Sequence, residues 1–257
     1  MTCTAKFLML AGGPLMAGES LAGDTLLWHD ESLTYLNGID FKVDPARQQT
    51  VTFEHASGWS IGDLFLFVDT IKFNGEATNG AGDGHTFYGE ISPRLSLGKL
   101  TGTDLSFGIV KDVLISATYE FGEDDVDAYL LGPAVDLNLP GFDYFQINTY
   151  LRQTDGKRDG DGVWQITPAW SYTVPVGNSD LVIDGFMDWV VDNDNSYHAN
   201  LHFNPQVKYD LAKGMGWGKK FYVGVEYDYW SDKYGIRDRQ VFTTNQSAIS
   251  LLLKAHF

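Results

Sequence analysis

The chain has 257 residues, of which 34 are acidic and 18 basic, so its formal charge is −16 at neutral pH. A surface this negative repels phosphate backbones, which excludes a nucleic-acid-binding protein. The 28 glycines, 7 tryptophans, 13 tyrosines and 16 phenylalanines favour strands and turns over helices. No run of about 18 consecutive apolar residues is present, which excludes a transmembrane helix but allows a membrane β-barrel, whose apolar residues alternate with polar ones.

The first 22 residues have the pattern of a secretory signal peptide. Lys6 precedes a short apolar stretch at 7–17, and the segment ends on the small residues of a cleavage site at 20–22. The single cysteine, Cys3, lies in this segment, so the mature chain would have no thiol for a disulfide, a metal or a nucleophile. We predict a signal peptide over residues 1–22, with a disordered tail as the alternative, and a single β-barrel domain over residues 23–257.

Apolar and polar residues alternate with period two along the rest of the chain. The longest run is 198–211, in which polar residues from His198 to Asp210 alternate with apolar residues from Ala199 to Leu211. A strand of this length exceeds the ~5–6 residues usual in soluble sheets and suits the ~9–11 residues needed to cross a bilayer. The alternation predicts twelve strands, at 31–41, 49–57, 61–71, 87–97, 112–121, 127–138, 143–153, 163–173, 181–192, 198–211, 221–231 and 246–257. Single-chain bacterial barrels require an even number of strands.

The connections between the predicted strands alternate in character. Short turns such as 139–142 and 174–180 are interleaved with longer, acidic stretches at 74–84, 122–127, 154–162, 192–197 and 231–244. Short periplasmic turns and longer outer loops produce this rhythm in outer-membrane barrels. We therefore expect the acidic stretches to be outer loops that face a lipopolysaccharide leaflet and its divalent cations.

The last predicted strand carries an alternating apolar row that includes Ile249, Leu251 and Leu253 and ends on the terminal Phe257. A C-terminal Phe in this setting is similar to the signal that outer-membrane proteins present to their assembly machinery. A soluble β-sandwich is the alternative, although sandwiches seldom combine twelve long strands with a terminal aromatic residue. The predicted fold class is all-β: a twelve-stranded antiparallel transmembrane β-barrel of the outer-membrane type.

Motifs for catalysis and for metal binding are incomplete. His198 and His202 have helical spacing, but on a strand they would lie about 13 Å apart at ~3.3 Å per residue, too far to share an ion. The stretch that begins at Asp192 starts like a calcium loop but lacks the glycine and the glutamate that such a loop requires. No enzyme, metal site or cofactor is predicted, and a proteolytic dyad of Asp188 with His198 is a minor alternative.

One predicted strand carries acidic and aromatic residues on a single face. Asp63, Phe65, Phe67 and Asp69 alternate there with aliphatic residues. A charge that faces lipid at the bilayer midplane costs about 2–4 kcal/mol, so this face must point into the barrel. Aromatic rings between acids indicate stacking of a planar, uncharged or cationic solute, or rings that simply fill the interior of a small barrel. The same acid–aromatic–acid pattern recurs in the ninth predicted strand, at Asp184, Phe186 and Asp188.

The segment 87–112, FYGEISPRLSLGKLTGTDLSFGIVKD, resembles the signature of the Tsx family of nucleoside-specific outer-membrane channels. Glu90, Arg94 and the Lys99–Thr101 turn match that pattern, and the Asp63–Asp69 face is similar to its counterpart in the family. The resemblance implies a monomer in the outer membrane of a Gram-negative bacterium that passes nucleosides and deoxynucleosides passively through a narrow lumen.

The resemblance and the acid–aromatic faces together predict the residues of a weak nucleoside-binding site in the lumen. These are Asp63, Phe65, Phe67, Asp69, Glu90, Arg94, Asp184, Phe186 and Asp188. The two phenylalanines of the third strand would stack on a base, worth ~1–3 kcal/mol, and Asp63, Asp69 and Glu90 would accept hydrogen bonds from ribose hydroxyls or exocyclic amines. We expect Arg94 to pair with these carboxylates across the lumen. The alternative function is a less specific, cation-preferring or small-solute diffusion porin, and Thr101, Thr103 and Asp104 are expected to be structural.

Overall fold

The computed structural model describes residues 25–74, 84–123, 126–155, 160–194 and 197–257. The predicted signal peptide at 1–22 and parts of four predicted outer loops lie outside these residues. The described chain contains twelve strands: β1 (Leu26–Ile39), β2 (Arg47–Trp59), β3 (Gly62–Phe73), β4 (His85–Ser96), β5 (Val110–Gly122), β6 (Asp127–Leu137), β7 (Phe142–Thr154), β8 (Val163–Val176), β9 (Ser179–Val190), β10 (Asn200–Asp210), β11 (Phe221–Ser231) and β12 (Gln246–His256).

Every strand pairs antiparallel with its neighbours in sequence, and β12 pairs with β1, so the sheet closes into a barrel. The closing seam runs from the Ile39–Ile249 pair to the Ser32–His256 pair. Closure leaves no unpaired sheet edge, which is the condition for a β-structure to span a bilayer. The predicted fold class and the predicted number of strands are confirmed.

The two faces of the barrel differ as the alternation predicts. Large apolar side chains such as Leu33, Ile115 and Leu251 are exposed on the outer surface, whereas polar side chains such as Ser116 and Lys208 are buried on the inside. The outer belt suits lipid tails, and the interior is a polar lumen. Lumen-facing and lipid-facing residues therefore follow from sequence position alone.

Several strand ends differ from the predicted ones. Strand β1 begins at Leu26, five residues before the predicted start at 31, because residues 26–30 pair with the end of β2. Strand β8 continues to Val176 because Val174 and Pro175 pair with the start of β9. Hydrogen-bonded pairing with a neighbour extends these strands past the point where the alternation fades.

Two short helices lie at the end of the barrel that holds both termini, which we call the terminal end. They are α1 (Leu97–Thr101) and α2 (Leu211–Gly214). The Oγ of Ser96 accepts the backbone N–H of Lys99 at 3.1 Å and caps α1, and Gly102 ends it with a φ of 67°. No helix in the described part of the chain is long and apolar enough to span a membrane.

The residues that follow α1 stabilise their own loop. The Oγ1 of Thr101 donates to the carbonyl of Leu97 at 2.7 Å, and the backbone N–H of Thr103 donates to the carbonyl of Gly98 at 3.1 Å. The backbone N–H of Ser106 donates to Asp104 at 2.9 Å, which keeps the pKa of this exposed carboxyl below its usual value. These local contacts agree with the structural role expected for Thr101, Thr103 and Asp104.

Candidate solute-binding lumen

Strands β3 and β4 bring six of the predicted site residues together on one wall of the lumen. The pairing sets Asp63 beside Arg94 and Phe67 beside Glu90. Phe65 lies opposite Ser92, and Asp69 lies opposite Tyr88, so all of these side chains share the inner face. The wall thus presents aromatic rings in its middle and charged groups around them.

The aromatic part of this wall contains three rings. The centroids of Phe65 and Phe67 are 6.0 Å apart with planes inclined by 38°, and those of Phe67 and Tyr88 are 5.7 Å apart with planes inclined by 55°. Phe65 is 40% exposed, so its ring is open to a solute in the lumen. The phenolic hydroxyl of Tyr88 donates to Glu90 Oε1 at 2.7 Å. The predicted site omitted Tyr88, although the alternation of β4 already places it on the same face as Glu90.

Arg94 pairs along the wall, not across the lumen as expected. Its Nε and one terminal nitrogen donate to both carboxylate oxygens of Asp63, at 2.8 and 2.7 Å. The other terminal nitrogen donates to Asp136 on β6 at 2.8 Å. Asp63 is the cross-strand neighbour of Arg94, so the bidentate pair forms with the nearest carboxylate.

The predicted residues on β9 lie on a second wall. Lys208 of β10 donates from Nζ to both oxygens of Asp184, at 2.7 and 2.5 Å. Asp188 accepts hydrogen bonds from Thr167 at 2.6 Å and from Gln165 at 3.1 Å. The nine predicted residues therefore form two groups on different walls of one lumen.

This second wall also contains an aromatic stack that the sequence did not reveal. The rings of His202 and Trp230 lie 3.9 Å apart and nearly parallel, at 10°. Phe186 meets His202 edge-on at 5.1 Å, and His202 Nε2 lies 3.2 Å from Asp228. His202 is paired with both Asp188 and Trp230 across its neighbouring strands, so the contact depends on a register that is not visible in the sequence.

The lumen carboxylates fall into two sets. Asp63 and Asp184 bind cationic side chains, as do Glu54 with Lys254 and Glu120 with Arg152. In the described chain, by contrast, the hydrogen-bond partners of Asp69, Glu90 and Asp188 are uncharged, namely Thr52, Tyr88, Thr167 and Gln165. No cationic side chain is therefore hydrogen-bonded to these three carboxylates in the described chain.

The metal site and the catalytic dyad weighed from the sequence can be compared with the described residues. Among them, no group of three or more His, Cys, Asp or Glu side chains could hold a metal ion. The register places His202, and not His198, beside Asp188, so the strand pairing does not form the dyad considered from the sequence.

Comparisons with known proteins identify the family of the chain and several of its relatives. The family model described as "Nucleoside-specific channel-forming protein, Tsx" matches residues 26–256. The outer membrane protein OmpK of Vibrio parahaemolyticus is 24% identical over 242 residues, which cover 91% of this chain and 90% of that protein. The nucleoside-specific channel-forming protein Tsx of Salmonella typhimurium is 29% identical over 128 residues, or 44% of each chain. The crystal structure of Omp33 from Acinetobacter baumannii covers 89% of this chain and 97% of its own, with a TM-score of 0.38 and 11% identity.

Proposed function

Because this outer-membrane channel belongs to the Tsx family of nucleoside-specific channel-forming proteins, we propose that it lets nucleosides and deoxynucleosides diffuse passively across the membrane through weak binding sites in its lumen. The proposal places both chain termini on the periplasmic side, as in bacterial barrels. The opposite end, which we call the loop end, then faces the outside.

The observation that supports this function is the arrangement of rings and acids on the β3–β4 wall. Phe65, Phe67 and Tyr88 provide apolar ring faces within the lumen, and Glu90 and Asp69 lie beside them with carboxylate oxygens that bind no cation among the described residues. A nucleoside combines a flat base with hydroxyl and amine donors. The wall complements both halves of such a solute.

Weak binding is sufficient for a channel of this kind. Stacking contributes ~1–3 kcal/mol per base in nucleic-acid proteins, and conduction requires a solute to leave as readily as it enters. Passive diffusion needs neither an energy source nor a chemical step, and we therefore propose that the protein is not an enzyme.

A second candidate function is a less specific pore that prefers cations. It is supported by lumen carboxylates whose hydrogen-bond partners in the described chain are uncharged, among them Asp69, Glu90 and Asp188. In such a pore the phenylalanines of β3 would only fill space. The two functions differ in whether nucleosides have an advantage over other solutes of similar size.

The remaining partners follow from the membrane location. We propose that the chain inserts as a single barrel domain and a monomer, with its acidic loops against lipopolysaccharide. The C-terminal Phe257 follows β12 directly and is 64% exposed, which suits recognition by the assembly machinery.

Flux measurements in liposomes that contain the purified, refolded protein test the proposed function. Entry of adenosine, thymidine and uridine is compared with entry of glucose and arginine at matched concentrations. We expect nucleosides to enter faster, with a rate that saturates at low concentration. Equal entry of all five solutes would contradict the proposal, and faster entry of arginine alone would favour the cation-preferring pore.

A further inference from the structure

A buried lysine joins two connections at the loop end of the barrel. Lys233, in the β11–β12 connection, has a side chain only 4% exposed. Its Nζ donates to Gln246 Oε1 at 2.8 Å and lies 3.2 Å from Asp44 Oδ2 in the β1–β2 connection. The ammonium also lies over the rings of Tyr234 and Phe41, at 4.8 and 5.8 Å. The charge is thus held by partners from both connections.

The position of this ammonium is strongly fixed. A charge removed from water must keep its partners, because breaking one side of a buried pair leaves the other uncompensated. Asp44 Oδ2 also accepts the phenolic hydroxyl of Tyr234 at 2.8 Å, so one carboxylate holds two consecutive residues. Lys233 and Tyr234 therefore fasten the β11–β12 connection to the β1–β2 connection.

The same segment continues to the β9–β10 connection. The backbone N–H of His198 donates to the carbonyl of Gly235 at 2.9 Å. Gly235 has a φ of +69°, and a Cβ atom there would lie 2.6 Å from the ring of Tyr197, so only glycine fits. Tyr197 in turn lies 6.0 Å below the guanidinium of Arg152 on β7. Residues 233–235 thus form a cross-piece at the loop end that links three parts of the rim.

The cross-piece also contacts the lumen. The ring of Tyr234 meets Trp230 edge-on at 5.4 Å, and Trp230 stacks on His202. His202 touches Phe186, one of the predicted site residues. A displacement of Tyr234 would therefore disturb the aromatic stack of the second wall.

We propose that Lys233 is a positioning residue that sets the width of the channel mouth at the loop end and, through Tyr234 and Trp230, the selectivity of the lumen. The claim about width rests only on the protein being a channel. The claim about selectivity rests also on the nucleoside function proposed above. The two parts therefore need separate readouts.

The experiment uses the full barrel in planar lipid bilayers and in liposomes. The variants are Lys233→Met, Lys233→Arg, Asp44→Asn and the double variant Lys233→Met with Asp44→Asn. The matched control is Lys213→Met, since Lys213 is half-exposed and pairs with Asp180 at the terminal end. Single-channel conductance and current noise measure the width and the stability of the channel mouth. The flux ratio of uridine to glucose measures selectivity, and heat-modifiable gel mobility shows whether each variant has folded.

We expect Lys233→Met and Asp44→Asn each to raise conductance about twofold or more and to increase current noise, because the cross-piece loses its anchor. The double variant should show no larger change than either single variant, since the partners act as one unit. The conductance of Lys233→Arg should stay near that of the wild type. The flux ratio of uridine to glucose in Lys233→Met should fall towards one.

Conductance of Lys233→Met equal to that of Lys213→Met would overturn the proposal, as would additive effects in the double variant. If Lys233→Met does not fold, Asp44→Asn against the Lys213→Met control decides in the same way. A wild-type protein without nucleoside preference would contradict the nucleoside function, whereas the conductance result would still decide the role of Lys233 at the mouth.

Discussion

At the scale of single residues, the proposed solute site depends most on two phenylalanines of β3. Replacing Phe65 and Phe67 by alanine removes two of the three rings of the wall and leaves the hydrogen-bonding acids in place. Because stacking is worth ~1–3 kcal/mol per base, the apparent affinity for uridine should fall about tenfold or more in saturation flux assays. Phe53→Ala with Phe87→Ala, which changes two exposed residues of the lipid-facing surface, is the control. If uridine flux through the Phe65→Ala, Phe67→Ala variant saturates at the same concentration as in the wild type, these rings only fill space.

Loss of Arg94 should lower the stability of the barrel. Its guanidinium binds Asp63 and Asp136 and is 6% exposed on its side chain, so Arg94→Met leaves two carboxylates unpaired. Breaking such a pair typically costs about 3–5 kcal/mol, which should lower the urea midpoint of unfolding followed by tryptophan fluorescence. Arg94→Lys should recover only part of this, because an ammonium lacks the bidentate fork. Arg47→Met, at an exposed position of β2, is the control. If the urea midpoint of Arg94→Met equals that of Arg47→Met, the ion pairs of Arg94 do not stabilise the barrel.

The sequence predicted which side chains of β3 face the lumen better than it predicted how they pair. Alternation alone assigned Asp63, Phe65, Phe67 and Asp69 to the lumen, because the side-chain direction of a strand follows from sequence position. Pairing depends instead on the register between strands. Arg94 was therefore expected to reach Asp63, Asp69 and Glu90 across the lumen, whereas Asp63 is its direct neighbour on β3. The second partner, Asp136 on β6, was not predicted.

At the scale of secondary structure, the outward face of β12 tests the membrane assignment. Leu251 is 68% exposed and lies in the middle of this strand, at the position where lipid tails are expected. Leu251→Arg should cost about 2–4 kcal/mol and impair insertion into liposomes, since the charge would face the bilayer interior. Val241→Arg, in the β11–β12 connection where the side chain is 92% exposed, is the control. Equal insertion of both variants would contradict a lipid-facing Leu251.

The strands were predictable from the sequence and the short helices were not. A period-two pattern continues through Leu211, so the prediction joined this residue to the tenth strand, whereas α2 begins there. Asp210 accepts the backbone N–H of Lys213 at 2.9 Å, and this cap turns the chain within four residues. A helix of one turn is too short to show helical periodicity, and its cap is recognised only when the geometry is known.

At the scale of the whole molecule, the charge of −16 should make the channel select cations. Potassium should carry more current than chloride in a salt gradient, because the field of the lumen acids concentrates counter-ions. The Debye length falls from about 10 Å at 0.1 M to about 3 Å at 1 M salt, so the reversal potential should shrink as ionic strength rises. Bilayer recordings at several salt concentrations measure this, and a chloride preference would contradict the charge assignment of the lumen.

The central claim is that the β3–β4 wall binds nucleosides while they pass, and a single-channel current tests it most directly. Uridine is added to one side of a bilayer that contains one open channel, and glucose is added in a parallel experiment. A bound nucleoside occupies the lumen, so the account predicts a saturable fall in ion current with uridine and none with glucose at equal concentration. A current that responds to neither solute, or to both alike, would contradict it.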